Sequence, residues 1–415
     1  MDDAGDTYVV DNFVLENGTV LPQAQLRYQT YGQLNARRDN VVVVCHALTG
    51  NASLHSWWGD LLGDNSQSSD GSSSGRTIAA FDTSRYFVVC CNILGSCYGS
   101  TNPTSINPHT GHVYGKEFPD ISVRDTVRLQ LLLLQNELRV SSIQCVVGGS
   151  FGGMQALEFA VQAGTTVTDD VPHPEQYFTA NYDNDTNTDH DDDGTPPPFL
   201  RSVLPIACGA QHTAWQIAIS EVQRQAIYHD PAWESDNPFG ATRGLQVARQ
   251  LGMISYRTPM GYRTKFGRHL QQPSSSSPSS SSSGLALYGS RAPWRVKSYL
   301  EYQGVKFLSR FDPVTYVKLT EQMDSHNVAR SRTLKNHEDN ETAALAEVLG
   351  RVHIPALILG IDSDVLYPLE EQEQLAQLLP QATLAVIHSD DGHDGFLLEQ
   401  EQVGAHIADF LRRHG

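Results

Sequence analysis

The sequence predicts an α/β fold: a mostly parallel, doubly wound sheet with a helical lid inserted between its strands. Two observations carry this. Short runs apolar on both faces alternate with amphipathic, helix-like stretches, the pattern of parallel strands covered by helices. Between about residues 212 and 344 the strand signal stops and only helical patterns continue.

The strands come first. Residues 40–45 (NVVVVC), 86–92 (YFVVCCN) and 143–147 (IQCVV) are short, β-branched and apolar throughout. Residues 202–207 (SVLPIA), 355–361 (PALILGI) and 382–387 (ATLAVI) complete the set. Helices are expected over 123–138, 152–163, 369–379 and 399–413. The first has Ser122 as N-cap and Asp125 three residues on, a capping-box pattern. Inside the insertion, helices are expected over 213–228, 240–255 and 298–309. The predicted division is therefore a core over 1–211, a lid over 212–344 and the rest of the core over 345–415. Residues 165–198, rich in Asp, Asn, Thr and Pro, and the serine-proline tract at 272–284 read as tolerated surface insertions, the tract as a disordered loop.

Bulk composition narrows the function. The chain has 415 residues, 40% of them apolar, enough for a large core. A formal net charge of −18 makes it a poor partner for nucleic acid or an anionic membrane. The start, MDDAGDTYVV, carries neither the basic and apolar regions of a signal peptide nor the Arg-rich character of a transit peptide. No apolar run approaches the ~20 residues of a membrane span. Cys45, Cys90, Cys91, Cys97, Cys145 and Cys208 include no CxxC pair and read as buried thiols of a reducing compartment. A cytoplasmic location is expected. Asp189, Asp191, Asp193 and Gly194 match half of a calcium loop, but its twelfth position is Leu200 and three prolines intervene. No metal or permanently bound cofactor is expected.

The chemistry concentrates at Gly148-Gly149-Ser150-Phe151-Gly152, a G-x-S-x-G pattern between an apolar strand and a helix. That is the nucleophile elbow of an α/β-hydrolase fold. A serine hydroxyl needs a base, and the base needs a carboxylate to fix its tautomer. In this fold the order is serine, acid, histidine. The strand at 355–361 ends at Asp362-Ser363-Asp364, and the strand at 382–387 is followed by HSDDGHDGF. Asp364 lies deeper in its loop than Asp362. His393 opens a helical run, whereas His388 still belongs to the strand end. Ser150, Asp364 and His393 are the predicted triad. The oxyanion hole is expected from the backbone N–H groups of Phe151 and of Leu48 in the HALTG loop. His46 reads as a structural hydrogen-bonder.

These residues, with longer stretches around them, resemble the homoserine O-acetyltransferases, particularly the fungal ones. The shared stretches include HALTG at 46–50, WWGDLLG at 57–63, YGKEFPDISVRD at 114–125, GGSFGGMQALEFA at 148–160, QRQAIYHDP at 223–231, DSDVLYP at 362–368 and GHDGFLLE at 392–399. They continue through the lid. The resemblance implies acetyl-CoA as co-substrate, an acetyl-Ser150 intermediate and transfer to the side-chain hydroxyl of L-homoserine. It implies that Arg224 and Asp394 hold the amino acid, a guanidinium for its carboxylate and a carboxylate for its ammonium. It also implies a homodimer through the lid. Phe151 stands where the family commonly has Met, and Thr101-Asn102-Pro103 where a Thr-Gly-Pro-like stretch is usual. Residues 234–239 replace a Gly-x-Tyr element, and Phe239 cannot donate a tyrosine's hydrogen bond. Relatives that acylate serine or a cephalosporin precursor, or that use succinyl-CoA, share the triad, as does a plain esterase.

Overall fold

The structure is a computed structural model and describes residues 5–68, 79–164, 199–271, 294–337 and 340–414. The insertions at 165–198 and 272–284, with the Asp189 to Gly194 half-loop, lie outside the described residues.

The chain opens with a hairpin, β1 (Asp6–Val14) and β2 (Val20–Tyr31). The remaining sheet strands are β3 (Val41–Cys45), β4 (Phe87–Cys91), β5 (Ile143–Gly149), β6 (Val203–Ile206), β7 (Ala356–Ile361) and β8 (Ala382–Ile387). They form one eight-stranded sheet in the order β1-β2-β4-β3-β5-β6-β7-β8. Strand β2 runs antiparallel to both its neighbours, β1 and β4; the pairings from β4 across to β8 are all parallel. All six predicted strands are present within a few residues. The hairpin is an addition. Its β1 is largely exposed and alternating, so it never forms the continuous apolar run that marks the others.

The two-faced burial is explicit in β3. Val41, Val43 and Cys45 join one apolar layer, while Val42 and Val44 join the other. The first layer is covered by α1 (Val123–Leu132), α2 (Phe151–Ala163), α8 (Glu341–Leu349) and α9 (Leu369–Leu378). The second is covered by the short α10 (Gly395–Leu398) through Phe396 and by α11 (Gln400–His414) through Val403, Ile407, Phe410 and Leu411. Helix α1 carries the expected capping box: Asp125 accepts the Ser122 N–H at 2.9 Å, and Ser122 Oγ accepts the Asp125 N–H at 3.2 Å.

The insertion contains α3 (Ala214–Tyr228), α4 (Thr242–Ser255), α5 (Pro259–Phe266), α6 (Arg295–Phe307) and α7 (Pro313–Asp324). Its underside forms a third apolar cluster. There Ile227, Leu245, Phe307, Tyr316 and Leu319 meet Leu48, Phe151 and Met154 from the sheet's loops and α2. The lid thus sits directly on the elbow. The predicted boundary at residue 344 falls inside α8, which packs Leu345, Val348 and Leu349 into the same sheet layer that Val328 and Ala329 already join. All six cysteines are free, and five are buried. Among the described residues no helix is long and apolar enough to cross a membrane.

Candidate active site

The loops after β3, β5, β7 and β8 converge beneath the lid. Ser150 stands between β5 and α2 with φ 58° and ψ −123°, a positive φ unusual for a residue with a side chain. Such a conformation costs on the order of 1–3 kcal/mol and persists only where its surroundings impose it. Here the Ser150 N–H donates to Ile206 O at 2.9 Å, and its carbonyl accepts from Gly153 and Met154 at 2.8 and 3.1 Å. The turn also needs bare neighbours. A Cβ on Gly152 would lie 2.8 Å from the Cys45 carbonyl carbon, and one on Gly148 would lie 2.9 Å from Gly152 Cα.

The structure brings Ser150, His393 and Asp364 into one hydrogen-bonded chain. His393 Nε2 is 2.8 Å from Ser150 Oγ, and His393 Nδ1 is 2.7 Å from Asp364 Oδ2. The other carboxylate oxygen accepts the Leu366 and Tyr367 N–H groups at 2.8 and 2.9 Å, so Asp364 is fixed in orientation. All three residues are buried. The network assigns the imidazole proton to Nδ1, against the carboxylate, leaving the Nε2 lone pair for the serine. The ring is held by Tyr367, stacked at 5.1 Å, Phe396 at 5.5 Å and Tyr256 at 6.0 Å. The competing pair, Asp362 and His388, meets at 2.8 Å on the surface, with the His388 side chain 77% exposed.

The two candidate oxyanion donors flank the serine's turn. Phe151 is the first residue of α2, where an N–H has no intrahelical acceptor. Leu48 lies in the loop after β3, and among the described residues its N–H has no protein acceptor. His46 braces that loop: Nδ1 lies 2.8 Å from Ala47 O, and Nε2 accepts the Ile93 N–H at 3.2 Å. Both contacts suit a neutral ring, and complete burial pushes its pKa down to about 4.

Arg224, on lid helix α3, is buried and Asp394, in the loop after β8, is half-buried, and each is already partnered. Arg224 Nε is 3.0 Å from Glu221 and Nη2 is 2.6 Å from Asp324, while Nη1 is buried with no partner among the described residues. Asp324 also takes His212 Nδ1 at 2.9 Å. Asp394 Oδ2 is 2.8 Å from Arg257 Nε. Burial raises the Asp394 carboxyl above the ordinary range, and the charges of Arg257 and His393 oppose that rise. Between Arg224 and Asp394 lie two tyrosines, Tyr316 and Tyr256. Tyr316 donates to Gln223 Oε1 at 2.7 Å, and Tyr316 and Tyr256 act on one another. Sequence reasoning alone does not single out Arg257, Asp324, Tyr256 or Tyr316. Their only signal is a place in the stretches ISYRT and TYVKLTEQMD, where nothing marks them as facing a site. Among the described residues no group of three or more His, Cys, Asp or Glu side chains could hold a metal ion.

A family model described as the alpha/beta hydrolase fold matches residues 40–172. Over almost the whole chain there are closer likenesses. A homoserine O-acetyltransferase of Nostoc punctiforme is 41% identical over 93% of this chain and 90% of its own length. One of Salinibacter ruber is 42% identical over 95% and 93%. Among solved structures, a homoserine O-acetyltransferase from Bacillus anthracis superposes with a TM-score of 0.74 at 21% identity, covering 99% of this chain and 98% of that one. An acetylester hydrolase from Corynebacterium glutamicum gives 0.71 at 20% identity, covering 99% and 95%. At that identity the two structures speak for the fold alone.

Proposed function

This chain belongs to the homoserine O-acetyltransferase family, and we propose that it moves the acetyl group of acetyl-CoA to the side-chain hydroxyl of L-homoserine through an acetyl-Ser150 intermediate. The step belongs to methionine biosynthesis. One observation carries the mechanism: the 2.8 and 2.7 Å relay from Ser150 through His393 to Asp364, closed over by the lid.

His393 Nε2 takes the Ser150 proton as Oγ attacks the thioester carbonyl. The tetrahedral oxygen bears negative charge and faces the Leu48 and Phe151 N–H groups, at the N-terminus of α2. The C–S bond breaks and the proton passes from His393 to the departing thiolate. The hydroxyl of homoserine then gives its proton to His393 as its oxygen attacks the acetyl-Ser150 carbonyl. Ser150 leaves and recovers the proton. Asp364 holds the imidazole in one tautomer throughout and stabilises the imidazolium.

The free Nη1 of Arg224 supports a role for that residue in meeting the substrate carboxylate, and the Asp394 carboxylate supports one in meeting the ammonium. Exposed Val222, Val247, Tyr302 and Val305 on the adjacent helices α3, α4 and α6 support a homodimer through the lid, for which light scattering gives the mass.

The deciding experiment follows free-thiol release from acetyl-CoA with homoserine, serine or water as acceptor. Release that depends on homoserine supports the reading. Equal release without any amino acid makes the protein a hydrolase instead. An acetyl group trapped on the Ser150 peptide, absent from Ser150→Ala, supports the covalent route; full transfer by that variant overturns it.

A further inference from the structure

Among the described residues, most buried or half-buried arginines bring their own carboxylates. Arg124, Arg257 and Arg332 are paired with Glu16, Asp394 and Glu158. The chain supplies 47 acidic residues against 29 Lys and Arg, so counter-charges are plentiful. Two arginines beside the site break the rule. Arg249 on α4 and Arg310, just after α6, have no ion pair among the described residues, although both are partly buried. Their guanidinium carbons lie 4.9 and 5.2 Å from the centre of one ring, Phe307. That ring is buried and stacked on Phe311 at 4.9 Å. Two like charges held close to one ring repel each other. An anion arriving from outside would relieve that repulsion.

The pair also connects with the reacting centre. Arg249 lies 5.9 Å from the Tyr256 ring, and Tyr256 lies 6.0 Å from His393. Arg310 donates to Thr49 O at 2.8 Å, one residue from Leu48 in the candidate oxyanion loop. Both charges act on the half-buried Tyr256 phenol. Arg224 and Asp394 already provide for the acceptor's two charges. The donor also carries phosphates, at the far end of its flexible pantetheine arm, and Arg249 and Arg310 are two arginines beside the site that no carboxylate of the described residues neutralises. We infer that Arg249, with Arg310 beside it, forms the anion contact for the phosphate groups of the acyl donor. The inference rests on the acetyl-CoA reading above.

The test compares acetyl-CoA with S-acetylpantetheine, which lacks the phosphates. Removing a charge-assisted hydrogen bond from a partly buried site weakens affinity about ten- to hundredfold. Arg249→Gln should raise KM for acetyl-CoA by about that factor, leave kcat/KM for S-acetylpantetheine and KM for homoserine unchanged, and be largely rescued by Arg249→Lys. Calorimetry with CoA itself should show the same weakening. Equal losses with both donors overturn the inference, as does a rise in KM for homoserine alone, which would make Arg249 an acceptor residue. CoA binding undiminished in Arg249→Gln sinks this inference only. Failure of the unmodified protein to bind CoA sinks the function proposed above.

Discussion

Replacing Gly152 by alanine is the sharpest single test of the elbow. The new Cβ would stand 2.8 Å from the Cys45 carbonyl carbon and 3.2 Å from His46 O, with the Cys45 oxygen closer still. Those atoms are backbone, so no side chain can swing aside. Relief requires the first turn of α2 and the end of β3 to part by roughly 1 Å, a misplacement that costs on the order of 100-fold in rate. The two segments that part carry the two candidate oxyanion donors: Phe151 opens α2, and Leu48 follows β3 by three residues. Losing one such donor costs about 100- to 1,000-fold in kcat. The expected result is a kcat lower by about 100- to 1,000-fold, with a stability loss of about 1–3 kcal/mol from overpacking. The assay is steady-state transfer from acetyl-CoA to homoserine, beside a thermal melt. Gly59→Ala is the control, because a Cβ there meets nothing within 4 Å. A Gly152→Ala protein with kcat within about threefold of the parent would refute the link between backbone approach and the oxyanion site.

Asp364→Asn should fold, since its side-chain oxygen can still take the Leu366 and Tyr367 N–H groups, but its amide favours the wrong imidazole tautomer; kcat should fall about 1,000- to 10,000-fold. A fall below tenfold would remove Asp364 from the relay. Arg224→Lys should raise KM for homoserine at least about tenfold, because an ammonium cannot hold Asp324 and a substrate carboxylate in one fork; a KM change confined to acetyl-CoA would contradict this. Stability should fall on acidification. His46 and His326 are buried neutral, with pKa values pushed down to about 4. The unfolded chain therefore binds more protons below pH 6.5, and each histidine gives up on the order of 3 kcal/mol as pH falls from about 6.5 to about 4. Urea denaturation at pH 7 and pH 4.5 reads the loss; in His46→Gln the pH dependence should shrink, and an unchanged slope would show that His46 is not the titrating group.

The sequence is most legible where one local pattern has one physical cause. The runs at 40–45 and 143–147 are apolar on both faces because both faces are covered, and they form β3 and β5. The order of Ser150, Asp364 and His393 is legible because each follows a recognisable strand end, and those ends all open at one edge of the sheet. What stays hidden depends on distant contacts. The hairpin β1–β2 alternates and stays half in solvent, so it shows no continuous run. Helix α7 begins with Asp312 and Pro313, a good N-terminal signal, yet only the fold shows that Asp324 at its far end reaches Arg224. Arg257 similarly follows the last turn of α4 and meets Asp394, 137 positions on, only because the lid closes over β8's loop.

Those hidden partners change how the candidate grips work. Arg224 and Asp394 are not bare charges waiting for a zwitterion; each rests against an internal counter-ion, Asp324 and Arg257. A buried charge without a partner would cost several kcal/mol, so pairing keeps the site folded when empty. On the proposed function, the substrate adds to existing pairs and meets groups already oriented. Part of the Coulomb gain is spent before it arrives, which favours modest affinity with strict geometry. An uncharged alcohol, or one with its amine misplaced, would leave the Nη1 of Arg224 unmatched, buried and without a partner. On the proposed function, discrimination among acceptors falls to the lid, where Arg224, Tyr256 and Tyr316 reside, and not to the Ser150 relay that the fold's hydrolases and acyltransferases have in common.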